Sequence, residues 1–316
     1  RQMCIRDRGN TIVLDISCDD TRGRWVGAYQ VSFYLGAAGG ALLGGFLTDA
    51  IGYHQAMGIC ASLTFLGATI ALIFLPETRG LDRNVRESST APIQGGVAPP
   101  ETSVSSHTAD PTHRRQFASA TALYSVHRLV LAGIFSATFG LYLLSQVGDH
   151  VQVGVWSLGV ATLTGMGLGL STLISAVSAP LVGGFSDRIG NRWRVAAGGL
   201  IPGIVGFVFL AAELPLTVLV GVPLIAITGG SSQGLSTALI GDLRIIGRQS
   251  RQLGAMFTAG DLASAIGPLL AYALVPLIGV NKLYLLVAGL LLAVIVVILR
   301  TGKTVRARST GLVNGF

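Results

Sequence analysis

One carboxylate in this sequence stands where a charge is costly. Asp261 lies nine or ten residues inside its apolar run from Arg251, about 14 Å along a helix at ~1.5 Å per residue. An acid at that depth in a bilayer costs roughly 2.5–3.5 kcal/mol on insertion scales, which makes it a functional-site hypothesis by default. Thr258, Asp261 and Ser264 share one stripe of that helix. The carboxylate could take and release a proton or pair with a cationic solute. The alternative is a protonated acid hydrogen-bonded to a neighbouring helix. Other polar residues fall at membrane depth: Gln30 and Tyr34, Thr138 and Tyr142, Ser171 and Ser175, and Gln233 within GGSSQGLST (229–237). Polar groups and glycine-loosened backbone are tolerated there where they line a cavity or pack against protein. These residues form the expected cavity-lining set.

Other chemistry finds little support. No Walker-type G-x-x-x-x-G-K-[ST] run occurs, and no His-Glu-x-x-His. The five histidines are scattered, and Cys4, Cys18 and Cys60 have neither a paired nor a metal-ligand spacing. No catalytic residue, cofactor or metal is expected, and a membrane-embedded enzyme is the weaker reading.

The elements that must position Asp261 emerge from composition. Only 12% of the 316 residues are charged and 51% are hydrophobic, with a mean hydropathy of +0.65, whereas soluble domains carry about 25% charged residues. The chain is an integral membrane protein. Runs of about 20 mostly apolar residues occur at 25–48, 54–75, 129–146, 160–182, 195–212, 216–240, 252–275 and 284–299, giving eight helices. Residues 9–16 read as the end of a ninth. The bundle is all-α. Residues 1–8 (RQMCIRDR) break sharply from the apolar stretch after them and read as a non-native leader. The expected organisation is 9–75 as the remainder of an N-terminal membrane half, 76–128 as a cytoplasmic linker rich in Ser, Thr and Pro, 129–299 as a C-terminal membrane half, and 300–316 as a basic tail.

Placing the loop 15–24 on the cytoplasmic side and crossing eight times puts every Lys and Arg except Lys282 inside. The expectation is a multi-pass protein of the plasma or inner membrane with a cytoplasmic C-terminus. The net charge of +7 then orients the chain, and no nucleic-acid partner is implied.

An internal repeat stands out at an offset of 227 residues. Residues 15–52 align without gaps on 242–279, and twelve of the 38 positions are identical, among them Asp15 with Asp242, Arg24 with Arg251 and Gly52 with Gly279. Both segments carry small residues every fourth position: Ala28, Ser32, Gly36, Gly40 and Gly44, and Ala255, Ala259, Ala263, Gly267 and Ala271. Such a face lets a neighbouring backbone approach closely. Two helices with the same packing face suggest two pseudo-equivalent halves. Equal halves would require roughly 100 further residues in front, making twelve spans.

Gly183–Gly184–Phe185–Ser186–Asp187–Arg188–Ile189–Gly190–Asn191–Arg192 resembles the G-x-x-x-D-[RK]-x-G-R-[RK] loop motif of the major facilitator superfamily, in its second copy between helices 8 and 9. Asp15 through Arg24 to Gly27 resembles the family's helix 4–5 loop. Gly36, Gly40, Ala41, Gly44 and Gly45 resemble its helix-5 GPxxGG motif, with Ala41 in the proline's place and Gly267–Pro268 keeping that pair in the second half. The resemblance covers residues 9–300. It implies a bundle of two pseudo-symmetric halves, here helices 5–12 with the end of helix 4. It further implies cavity-lining helices 5, 7, 8, 10 and 11 and supporting helices 6, 9 and 12, which are apolar enough to face lipid all round. Asp187, Arg188, Asp242 and Arg251 would form cytoplasmic ion pairs that hold one conformation and break in the other, with Asp15, Arg24, Gly190 and Arg192 in the same loop motifs. The alternative is that these charges only fix topology. The activity implied is secondary active transport of a small organic solute by alternating access, proton-coupled, with efflux by antiport favoured. Proton-coupled uptake by symport and a non-transporting sensor are the alternatives. The partners would be the solute, protons and the lipid bilayer.

Overall fold

The computed structural model describes residues 22–74, 111–153, 156–212, 217–242 and 249–313, with side chains over 31–73, 113–152, 158–212, 217–242 and 252–302. The expected end of a helix at 9–16 and Asp15 lie outside the described residues. So do the side chains of Arg24, Gln30 and Arg251.

The elements are α1 (Arg22–Ile51), α2 (Tyr53–Phe74), α3 (Pro111–His127), a π-helical stretch (Arg128–Phe135), α4 (Ser136–Val147), β1 (His150–Val153), β2 (Trp156–Gly159), α5 (Val160–Ile189), α6 (Arg192–Ala211), α7 (Thr217–Gly241) and α8 (Gln249–Val313). The first of the long rods after α2 runs without a break from α3 through the π stretch into α4. It starts at Pro111, well before the expected 129, so Arg128 is not a linker cation but sits far inside a helix. A short hairpin β1–β2, with His150 opposite Gly159 and Val153 opposite Trp156, connects α4 to α5 within the otherwise helical fold.

Among the described residues seven helical segments are long and apolar enough to cross a membrane, and the last, Gln252–Gly302, has 51 residues. At ~1.5 Å per residue that is about 75 Å, more than twice a hydrocarbon core of ~30 Å. It divides at Gly279, whose φ of 80° and ψ of 162° suit only glycine. Eight crossings result. Gly52, which parts α1 from α2, also has a positive φ, 86°. These two glycines are partners in the sequence repeat.

The described residues fall into two compact units. In the first (22–36 with 54–74), α2 leaves its apolar side chains open, with Phe65 at 75% and Leu72 at 85% exposure, as a lipid-facing helix would. Ser62, Thr64 and Thr69 bond the carbonyls of Gly58, Cys60 and Phe65 one turn back. Their hydroxyls therefore need no outside partner in an apolar setting.

The second unit (37–53 with the residues from 111 on) holds the main core. Phe135, Phe139, Phe207, Tyr142 and Tyr284 form an aromatic cluster with ring centroids 4.9 to 6.0 Å apart. Phe207 belongs to α6 and Tyr284 to the second crossing of α8, so neither helix faces lipid all round as expected. Apolar content alone does not separate a lipid face from a core face.

The polar run of α7 also packs rather than lines. Thr228, Ser231, Ser232 and Ser236 are buried. Thr228 Oγ1 donates to the Gly199 carbonyl at 2.8 Å and accepts from the Gly203 N–H at 2.6 Å. Pro202 interrupts α6 between those two groups, and proline supplies no N–H to the ladder. Thr228→Val, nearly isosteric, would leave the buried Gly203 N–H without this partner, while the Gly199 carbonyl keeps the Ser231 hydroxyl at 3.1 Å. We expect a loss of about 1–3 kcal/mol, read as a lower detergent denaturation midpoint.

Candidate functional site

Asp261 on α8 is neither buried against lipid nor alone. Arg128 Nη2 donates to its Oδ1 at 3.0 Å, and the two side chains are 29% and 46% exposed. The described residues thus cover the pair only in part. Arg128 is the first residue of the π stretch, and such departures from α geometry inside helices occur frequently at functional sites. Around the pair, Tyr124 stacks edge-on against Phe257 at 5.4 Å. A Cβ on Gly260 would run into the Tyr124 ring, so the glycine lets that ring lie against α8.

The residue before Arg128 points elsewhere. His127 is 7% exposed and its Cε1 lies near Gly229 of α7, where Ser175 of α5 also approaches. Its Nδ1 has no hydrogen-bond partner among the described residues, and the same holds for Arg128 Nε. Buried polar atoms of this kind call for a water or a ligand atom. Neither His127 nor Arg128 is a candidate from sequence. Arg128 does carry a signal, a charge directly abutting an apolar run, but that signal reads equally well as the last cation of a linker.

The expected cavity-lining residues separate into three groups. Thr138 and Tyr142 are fully buried, and Thr138 Oγ1 lies 3.2 Å from the Tyr284 hydroxyl; they belong to the core and not to a cavity wall. Ser175 Oγ donates to the Ala226 carbonyl at 2.8 Å and ties α5 to α7, while Ser171 Oγ closes on Leu168 of its own helix. Gln233 is half-buried, Thr258 is exposed with its hydroxyl on the Gly254 carbonyl, and Tyr34 is half-buried beside Phe33. The ion-pair partner of Asp261 comes from outside this set, as Arg128. Residues 230–234 spell G-x-S-x-G, yet they lie within α7 and not on the strand-to-helix turn that exposes a nucleophile.

The packing candidates also need correction. A Cβ on Gly36, Gly40 or Gly44 meets no atom of the described residues within 4 Å. The close approach of α1 instead uses Ala38, Ala41 and Gly45, against Ala161, Gly165 and Gly169 of α5. A ladder of small residues says that a helix can be approached; which side is used depends on the neighbour. In the second repeat Gly267 does pack closely, against Gly133, and Ala263 is half-buried.

At the far end of α5 a charged cluster forms, with Arg192 at its centre. Arg192 Nη2 bonds Asp187 at 2.8 Å and Nη1 bonds Asp242 at 2.7 Å, with the Ala238 carbonyl at 3.3 Å. Arg192, not Arg188, holds the two acids. Gly190 explains the geometry: with φ 68° it ends α5 in the left-handed region, its N–H on the Ser186 carbonyl. Asn191 then caps α6 by accepting from the Arg194 N–H at 3.2 Å. The turn places residue 192, rather than 188, between Asp187 and Asp242.

Among the described residues, seven helical segments long and apolar enough to cross a membrane, with an ion pair between two of them, mark a polytopic helical membrane protein. The family model described as Major Facilitator Superfamily matches residues 9–171 and 153–313, and the chain belongs to that family. Its members are transporters of small solutes across the lipid bilayer and not enzymes. No curated protein matches the chain significantly.

Proposed function

We propose that this protein moves a small organic solute by alternating access in exchange for protons, with Asp261 as the coupling carboxylate and Arg128 as its partner. The observation that supports the reading is the 3.0 Å pair between two membrane-spanning helices. Asp261 can exchange Arg128 for a proton, and Arg128 is then released to an anionic group or to water. Such a switch lets a proton be felt at the helix interface, which is how a local charge change biases a two-state element. Paired positive-φ glycines at 52 and 279 support two equivalent halves, joined through the residues between α2 and α3, that rock against each other. The Asp187–Arg192–Asp242 cluster would brace the cytoplasmic end of the second half, with the C-terminus on that side of the cell membrane.

The test is flux. Full-length protein in proteoliposomes loaded with a pH-sensitive dye is challenged with a panel of organic solutes under an imposed proton gradient. Solute-dependent proton movement opposite to the solute supports antiport, and movement in the same direction favours symport. A solute that binds but never crosses would point to a sensor.

A further inference from the structure

The N-terminus of α5 has no cap of its own, because its N-cap residue is Gly159. The first helical N–H, of Val160, is met by the Asp149 carbonyl at 3.2 Å. The third, of Thr162, donates to Oδ2 of Asp49 at 2.6 Å. Asp49 comes from α1, 113 residues away. Its carboxylate fills the space where a side chain at Gly159 would begin, so that a Cβ there would overlap all three carboxyl atoms. Gly159 has φ −74° and ψ 161°, which any residue adopts. Glycine is needed here for the room it leaves, not for its backbone freedom.

Below this cap the two helices touch backbone to backbone. A Cβ on Gly45 would strike the Ala161 carbonyl, and one on Gly165 would strike the Ala41 carbonyl. One turn further, Gly169 faces the Ala38 carbonyl and Leu42. Small residues give the crossing its closeness, and a negative group at a helix N-terminus adds a favourable electrostatic contact. The cap lies at the opposite end of the 30-residue α5 from the Asp187–Arg192–Asp242 cluster.

We propose that Asp49 is a latch: its carboxylate closes α1 onto the N-terminus of α5 on the face opposite the Arg192 cluster, and leaves it when that face opens. This rests on the alternating-access reading. The two ends of α5 then carry different fasteners. One is a three-residue charge cluster inside the 129–299 half, the other a carboxylate that reaches from α1 to the Thr162 N–H, and opening the α1–α5 face breaks only the latter.

The experiment uses full-length protein in nanodiscs with the native cysteines replaced. One thiol is introduced at the buried crossing (Ala38→Cys) and, in a separate sample, one beside Arg192 (Ala238→Cys). Labelling by a water-soluble thiol reagent is timed in each. Asp49→Ala is expected to speed labelling at position 38 by about fivefold to tenfold and to slow it at position 238. Gly159→Ala, which leaves Asp49 intact but displaces it, is expected to do the same. Unchanged labelling at position 38 in both variants overturns the latch, and so does a rise at both positions, which would mean general loosening. Solute flux is measured on the unaltered protein in parallel. Failure there counts against the transport reading, while the labelling rates decide the latch by themselves.

Discussion

Asp261→Asn is expected to abolish proton-driven net transport while leaving solute exchange between the two sides at equilibrium intact. The asparagine keeps the size of the side chain and an oxygen that can accept from Arg128, so the helix contact survives. It cannot bind or lose a proton. If the carboxylate alternates between the 3.0 Å bond to Arg128 and a proton, the neutral amide fixes one electrostatic state. A solute gradient can still drive exchange, but a pH gradient has nothing to act on. A loss of proton-driven flux by at least tenfold, about 1.4 kcal/mol in the coupled step, with counterflow within a factor of two or so, is the outcome that fits. Proton-driven flux unchanged in Asp261→Asn would remove the residue from the coupling mechanism. Loss of both activities together would make it a structural ion pair. In that case Arg128→Gln, which removes the 3.0 Å bond to the carboxylate, would lose both activities as well.

The reason Asp261 is legible in the sequence, and Arg128 is not, is instructive about membrane helices. An acid in the middle of an apolar run has no cheap explanation, so it declares itself. A basic residue where an apolar run begins has one, because cations gather at helix ends on the cytoplasmic side. Here that explanation fails, since the helix starts at Pro111 and the residues between 111 and 128, though polar in places, continue it. The eight crossings themselves are readable because length and hydropathy set them. The joints at Gly52 and Gly279 are readable as repeat partners, and the structure gives both positive φ.

What stays hidden depends on neighbours. A hydroxyl at membrane depth has to find a partner, but the sequence does not say whether that is a solute or a helix. Thr138 and Thr228 find helices. Arg188 and Arg192 are both candidates for Asp187 by charge, and the left-handed turn at Gly190 decides for Arg192. Asp49 gives no sign of its role, because its partner is a backbone N–H on a helix more than a hundred residues further on.

Gly267→Val is expected to be the most destabilising single substitution on the α8 face, and to break the Arg128–Asp261 pair without touching either residue. A Cβ on Gly133 of the π stretch would lie 2.7 Å from the Gly267 Cα and 3.1 Å from the Ser264 carbonyl oxygen. A Cβ on Gly267 would collide with the Gly133 Cα and reach the Leu129 carbonyl oxygen at 2.9 Å. These neighbours are backbone, so no side-chain rotation relieves the overlap and the two helices must part. The ion pair lies five to six residues away along the same interface, roughly 8–9 Å at the rise of a helix, and the Tyr272 hydroxyl holds the Ala137 carbonyl at 3.1 Å on the other side. Parting the helices by the width of a methyl group strains both contacts. Overpacking of this kind costs typically about 1–3 kcal/mol, and the lost contacts add to it. Gly289 lies on the same element with nothing within 4 Å of its Cβ position, so Gly289→Val carries the change in side chain without the collision. Thermal denaturation in nanodiscs should place Gly267→Val well below Gly289→Val. Equal midpoints would mean that the two backbones do not meet at residues 133 and 267, and the geometry that holds Asp261 against Arg128 would have to be sought elsewhere.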